Sequence, residues 1–432
     1  MKINPIGRNH NLIKELFLLD PDVIYLNHGS FGACPRPVFE VYQKWQSKLE
    51  QQPVRFMGRE LEVHLTEARY ALGEYIHADP DEVVYVPNAT QGVNIVARSL
   101  GDPSDDDSQG RFLQPGDEIL TTDHEYGACD NTWEYVCRQV GSIYKHQSIP
   151  LPTSSQEEIV EQFWEGVTPK TRVIFLSHIT SPTAMRMPVE VICKRARQAG
   201  ILTVVDGAHA PGQIQIDMHA ISADFYTGNC HKWMMSPKGA GFLFTRREAQ
   251  HLIKPLVVSW GYGNKPQSTN MAGSNLPKQP TYINYLQWTG TRDPASYLSV
   301  PSAIRFMEEY HWDDIRQECN QLLTTAIHEI CNLTGLQPVY PYGETFYRQM
   351  AIIPMQPNQD LNNLKNRLYD EYHIEVPLIQ WKEKLFIRLS VQGYNTPEEI
   401  GVFIKALGHL LTALSDEHPK QHKHTSKELG SG

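Results

Sequence analysis

Between residues 82 and 245 the chain carries six short runs rich in β-branched and aromatic residues: "EVVYVP" at 82–87, "EILTT" at 118–122, "RVIFLSH" at 172–178, "ILTVVD" at 201–206, "DFYTG" at 224–228 and "GFLFT" at 241–245. Several lack the strict alternation of a half-exposed strand and read as strands buried on both faces. The connectors include "LEVHLTEARYALGEYI" and "VEVICKRARQAG", in which apolar residues return every three or four positions and the second ends on glycine. Strand and helix repeated in this way predict an α/β fold, with a large domain over residues 50–300 built on a mixed, mostly parallel sheet. From 301 the pattern changes to longer amphipathic helices, then the short strands "QMAIIPM" and "LFIRLSV", then a closing helix from Pro397 to about 415. That predicts a smaller α+β C-terminal domain over 301–416. Residues 1–49 are expected to form an N-terminal segment that contributes to the active site and to the small domain. The stretch "GDPSDDDSQGRFLQPGDE" at 101–118 reads as a solvated excursion, and the polar, aperiodic tail 417–432 as disordered.

A chain of 432 residues is long enough for such a pair of domains and a sizeable core. Its formal net charge of -10 argues against nucleic acid or an anionic membrane as the main partner. Seven cysteines, odd in number and never spaced as CxxC, argue against a disulfide framework or a zinc site, so no metal is expected. The N-terminus lacks a secretory apolar run and no stretch reaches membrane-spanning length, which makes the cytoplasm the expected location.

Ligands of open α/β sheets collect at the carboxyl ends of the strands. After "EVVYVP" comes "NATQGVN", small residues entering a helix whose free N–H groups suit a phosphate, although "NAT" is equally a good helix cap. Asp206 ends a buried strand, where a carboxylate needs a cationic partner or must serve as a cap or structural ion pair. Lys232 follows the next strand, and a lysine held in a dry site can lose its proton and act as a nucleophile. A lone lysine is ordinarily a solvated charge, and Lys238 in "SPKGAG" fits a turn before a strand. Phosphate cradle, buried Asp and His-Lys together are the parts that hold pyridoxal 5'-phosphate: helix start for the phosphate, Asp for the pyridinium nitrogen, Lys for the Schiff base.

The motifs "YLNHGSFG", "NATQGVN", "DHEYGA", "VDGAHAPG", "CHKW", "PKGAGF", "TGTRD" and "IRLSVQGYNT" follow one another from residue 25 to about 396. In this order they resemble the class V aminotransferase family of fold-type I pyridoxal-phosphate enzymes, and within it the isopenicillin N epimerase-like branch. The resemblance implies that Lys232 carries the cofactor, that Asp206 keeps its ring nitrogen protonated, and that His209, where relatives often have Gln, reaches its phenolic oxygen. Tyr126 occupies the position of a ring stacked on the cofactor face, or is a packed interior tyrosine. Asn88, Ala89 and Thr90 would bind the phosphate, supported by His231 and Asn229, with Ser181 also at the cofactor. Thr291 would reach the neighbouring subunit's phosphate, implying a homodimer. Arg388 resembles the small-domain arginine that clamps a substrate α-carboxylate. Asn27 and His28 would approach the substrate from the N-terminal segment, and Arg55 a distal substrate anion.

The same resemblance leaves the reaction open. A small-molecule amino acid is the implied substrate, and proton return to the opposite face, loss of a β-substituent and transamination are all within the chemistry. Epimerisation or racemisation is the leading expectation, with Lys232 moving the proton on one face and Tyr126, His28 or water on the other. C–S lysis, as in hercynylcysteine sulfoxide lyases, is the alternative, and class V transamination another. A silent binding homologue would be expected to have lost Lys232, Asp206 or Arg388. The stretch "HIEVPLIQWKEKLFIRLS" contains no cysteine, and the last cysteine is Cys331, which argues against a persulfide-forming desulfurase.

Overall fold

Twelve strands organise the described residues: β1 (Ile24–Tyr25), β2 (Val83–Val86), β3 (Glu118–Thr122), β4 (Ile143–Gln147), β5 (Thr171–Ser177), β6 (Leu202–Gly207), β7 (Phe225–Asn229), β8 (Gly241–Thr245), β9 (Met350–Met355), β10 (Ile374–Glu375), β11 (Leu378–Trp381) and β12 (Lys384–Ser390). They come from a computed structural model that describes residues 10–102, 112–262, 280–357 and 359–417. The core of the expected acidic excursion and nearly all of the expected disordered tail lie outside these residues.

Seven strands form one sheet in the order β2-β8-β7-β6-β5-β3-β4. The pairs from β7 through β4 are parallel, while β8 runs antiparallel to both of its neighbours. All six strand runs named from the sequence are in this sheet. Their continuous apolar character has a direct cause, because side chains alternate between two buried faces. Ile174, Leu176 and Val205 enter one hydrophobic cluster, and Val173, Phe175 and Val204 enter the other. The strand absent from the sequence reading is β4, an edge strand of sequence IYKHQ with no fully buried residue. Its outer position removes the apolar run by which the others were recognised.

β11, β12 and β9 form a separate antiparallel sheet. Helices Trp312–Thr334 and Pro397–Glu417 accompany it, close to the ranges expected from their 3.6-residue periodicity. The N-terminal segment is stitched to this C-terminal part: β1 pairs in parallel with β10, and Ser390 N–H donates to the Leu26 carbonyl.

The helix that follows β2, Ala89–Gly101, is capped by Asn88, whose side chain accepts from the Gln91 N–H at 2.9 Å. It packs tightly on β7 at Gly92. A Cβ there would lie 2.1 Å from Thr227 Oγ1 and 2.8 Å from Thr227 Cβ, and Thr227 is fixed by donating to the Phe242 carbonyl. Gly92→Ala is therefore expected to destabilise the fold by about 1–3 kcal/mol through overpacking. Thermal or denaturant unfolding checks this, and unchanged stability would contradict the close packing of this helix.

Candidate active site

Strand ends of the large sheet, one strand of the C-terminal sheet and the N-terminal segment carry the candidate residues. β6 delivers Asp206, 3% exposed, at the carboxyl edge of the sheet. Its Oδ1 accepts from the Ala208 N–H at 2.9 Å, and its Oδ2 has only the thiol of Cys129, at 3.5 Å. A thiol is a weak donor, and no Lys, Arg or His among the described residues forms an ion pair with Asp206. Burial accordingly raises its pKa, against the pull of the Ala208 N–H and the Lys232 charge.

β7 ends at Asn229, and the chain then turns through His231 and Lys232. Lys232 Nζ lies 3.1 Å from His209 Nε2, while the Trp233 indole N–H points at His209 Nδ1 from 3.5 Å. An indole nitrogen can only donate, so the ring accepts at Nδ1 and its proton sits on Nε2, facing the amine lone pair. Burial lowers Lys232 to about 8, with Arg388 pushing the same way and Asp206 opposing, and burial holds His209 well below the usual imidazole range.

Arg388 projects from β12, 6% exposed, and among the described residues its partners are neutral: the Ser181 carbonyl at 2.6 Å, Ser181 Oγ at 3.3 Å and Ser30 Oγ at 3.0 Å. Its Nε is buried with no acceptor. Desolvation lowers its pKa to about 10, eased by Tyr126. A buried guanidinium without an anion costs several kcal/mol of desolvation, so this group is set up to receive one. Ser30 in turn donates to Asn27 Oδ1 at 2.5 Å, and Asn27 Nδ2 donates to Glu375 at 2.9 Å. Asn27, expected at the substrate, is thus a support of the Ser30–Arg388 contact. Ser181, expected at the cofactor, holds Arg388.

His28 also differs from expectation. It is fully buried, its Nε2 lies 3.1 Å from the Lys232 carbonyl oxygen and 3.3 Å from Gln392 Nε2, and its Nδ1 meets the Tyr394 hydroxyl at 3.0 Å. Burial lowers its pKa to about 3. Both ring nitrogens are committed, so His28 braces the backbone of Lys232 and has no nitrogen left to face a substrate. Gly32 makes this approach possible, since with φ +70° a Cβ would meet the His231 carbonyl at 2.2 Å. Arg55 lies outside the cluster, with its side chain 66% exposed and bound to Glu60 at 2.6 Å. Thr291 is exposed in the loop before Pro294.

At the helix start after β2, the Ala89 N–H is already taken by Asn229 Oδ1 at 2.8 Å, and that of Gln91 by Asn88. Asn229 thus secures the loop, and the Ala89 N–H, expected at the phosphate, is engaged within the protein. His231 Nδ1 donates to the Ala240 carbonyl at 2.8 Å, leaving Nε2 free, and burial lowers the ring to about 4. Tyr126 precedes helix Gly127–Val140 and stays 47% exposed, on the Arg388 side of the site. The sequence reading missed Glu125 beside it. This buried carboxyl accepts from the Thr122 and Ser177 hydroxyls, both at 2.6 Å, and burial pushes it up to about 8. Its only signal was adjacency to Tyr126 in the "DHEYGA" motif.

The residues fit pyridoxal phosphate by the chemistry of what they lack. Asp206 Oδ2 wants a strong N–H donor, Lys232 is a poised amine at hydrogen-bond distance from His209, and Thr90 opens a helix start. Residues 24–403 match the family model of class-V aminotransferases. The chain belongs to the class-V aminotransferase family. Its cofactor is pyridoxal 5'-phosphate, and it is an enzyme of that pyridoxal-phosphate class. Among its relatives, isopenicillin N epimerase of Amycolatopsis lactamdurans is 34% identical over 92% of this chain and 97% of that protein, and the one of Streptomyces clavuligerus 33% over 91% and 96%. An L-cysteine desulfhydrase of Arabidopsis thaliana is 32% identical over 87% and 85%. Among solved structures, the apo cysteine desulfurase of Thermococcus onnurineus superposes with a TM-score of 0.76 at 20% identity, covering 93% of this chain and 98% of that one. A mutant of C-DES with glycine covalently linked to its PLP cofactor does so at 0.72 and 20% identity, over 90% and 97%. The fold is that of the fold-type I enzymes.

The lowered pKa of Lys232 has a kinetic consequence. Only the neutral amine attacks an aldehyde, so covalent attachment of added cofactor to the apo-protein should speed up as pH rises and level off above about 8. The rate of the accompanying absorbance change, measured between pH 6 and 10, checks this. Lys232→Ala should show none of it, and a midpoint near 10 would contradict a desolvated lysine.

Proposed function

We propose that the chain is a pyridoxal-phosphate epimerase or racemase acting at the α-carbon of a small-molecule amino acid, related in chemistry to isopenicillin N epimerases. The observation that carries the reading is the pair of buried groups without counter-ions, Asp206 and Arg388, both close enough to Lys232 for their charges to act on its amine. Bound there, the cofactor supplies the electron sink that acidifies the α-proton. Asp206 would hold the ring nitrogen protonated, with His209 at the phenolic oxygen, and Thr90, His231 and Asn88 would serve the phosphate end. Arg388 would take the substrate carboxylate through Nε and an outer nitrogen, exchanging the neutral Ser30 and Ser181 contacts for a charged bidentate pair. That fixes the Cα–H bond between two proton carriers.

Lys232, with a neutral amine available near pH 8, would carry the proton on one face. The commitment of His28 to the Lys232 carbonyl leaves Tyr126, exposed on the Arg388 side, or a water as the carrier on the other face, and Tyr126 is the side chain assigned that role. In a homodimer, Thr291 would complete the neighbouring subunit's phosphate site. Among the described residues no helix is long and apolar enough to cross a membrane.

A second reading, cysteine C–S lysis, is favoured by the relatives named L-cysteine desulfhydrase, and needs no persulfide cysteine. The two separate in D₂O. With a panel of L-amino acids, cysteine conjugates and an aminoadipyl peptide, epimerisation gives α-deuterium with loss of optical purity and no keto acid. Pyruvate with released sulfide would replace the first reading by the second. Tyr126→Phe should cut inversion by about 10²-fold or more while single-face α-deuterium exchange by Lys232 persists. Equal loss of both would contradict the division of labour.

A further inference from the structure

The strand that carries Arg388 is tied down at its far end, well away from the guanidinium. β11 and β12 form a hairpin in which Trp381 pairs with Lys384, so the turn consists of Lys382 and Glu383. Lys382 has φ +54°, a left-handed conformation in which glycine, asparagine or aspartate is the usual choice. Its side chain supplies what glycine would lack. Nζ donates to Asp123 Oδ2 at 2.5 Å and to Ser148 Oγ at 3.3 Å. The adjacent Trp381 indole N–H donates to the Asp123 carbonyl at 3.0 Å, and its ring lies 4.3 Å from that of buried His124. Lys384 Nζ donates to the Leu151 carbonyl at 2.5 Å.

The receiving side is rigid. Asp123 Oδ1 accepts from the Ile149 N–H at 3.0 Å, and His124 is pinned between Thr183 Oγ1 and the Ile149 carbonyl, both at 2.7 Å. Partial burial would raise the Asp123 carboxyl, but Lys382 and the Ile149 N–H outweigh it and keep it ionised. Asp123 lies a few residues before Tyr126, and Lys382 lies on the same hairpin as Arg388. The contact therefore joins the two segments that carry opposite sides of the substrate site, from positions more than 250 residues apart in sequence.

We propose that the Trp381–Lys382 turn is a latch onto Asp123 that holds Arg388 in register with the Tyr126 segment, making Lys382 and Asp123 positioning residues for carboxylate binding. The proposal rests on the reading of Arg388 as the carboxylate group's partner. The latch acts on binding of anything with an α-carboxylate, and leaves capture of the cofactor and of simple amines untouched.

The test uses the cofactor-loaded enzyme and two probes read by the change in cofactor absorbance: 2-methylalanine, which has a carboxylate but no α-proton to react, and methylamine, which has no carboxylate. Lys382→Gly suits the left-handed turn and removes only the Lys382 arm of the latch, so its thermal stability should stay close to wild type. In Lys382→Gly and in Asp123→Asn the Kd for 2-methylalanine should rise about three- to fivefold, as expected for a half-shielded ion pair. Methylamine affinity and cofactor content should not change, Lys382→Arg should restore wild-type binding, and the double variant should be no worse than the single ones. Unchanged Kd for 2-methylalanine, or an equal loss for methylamine, would overturn the latch. Wild-type enzyme that binds both probes alike, and Arg388→Gln that binds as wild type, would instead overturn the carboxylate reading of Arg388 and the latch with it.

Discussion

Desolvation is the constraint on which the rest of this site depends. Lys232, Asp206 and Arg388 are withdrawn from water without being paired to one another, and each shows the cost in a pKa moved toward neutrality. A structural ion pair would have neutralised two of them at once. Keeping all three separate leaves an amine ready to react, a carboxylate with one oxygen served only by a thiol, and a guanidinium with an idle Nε. Those are complementary to an aldehyde, a pyridinium N–H and a substrate carboxylate.

The separation is maintained by long-range supports. His28 and Gly32 bring the N-terminal segment against the backbone of Lys232, while Asn27 and Ser30 from the same segment reach Arg388. One short stretch therefore positions both the amine from the large sheet and the guanidinium from the small one. Pairing of β1 with β10 fixes the stretch itself, and Glu375 of β10 holds Asn27. The charged groups at the site can stay unpaired because neutral hydrogen bonds, not counter-ions, hold them in place.

The six principal strands and the long C-terminal helices were legible because burial on two faces or one leaves a local periodic signal. β4 was not, since an edge strand needs no apolar run, and β1 and β10 are too short to show a period. Lys232, Asp206, His209 and Arg388 were named from motifs, and the structure brings Lys232 and His209 into contact. The direction in which a motif residue points was not legible. His28 turns to a main-chain carbonyl 204 residues away, and Asn27 to a carboxylate 348 residues away. Ser181 grips Arg388 and Ala89 gives its N–H to Asn229, both contacts set by tertiary packing, while Arg55 stays with its local neighbour Glu60. Glu125 escaped notice because burial, not its identity, makes it unusual.

A crystal structure of the cofactor-loaded enzyme with 2-methylalanine bound tests the central claim most directly. The account predicts the cofactor's ring nitrogen against Asp206 Oδ2 and the amino acid's carboxylate on Arg388, with Nε engaged and the Ser30 or Ser181 contacts given up. A carboxylate bound elsewhere, with Arg388 still held by Ser30 and Ser181, would contradict it.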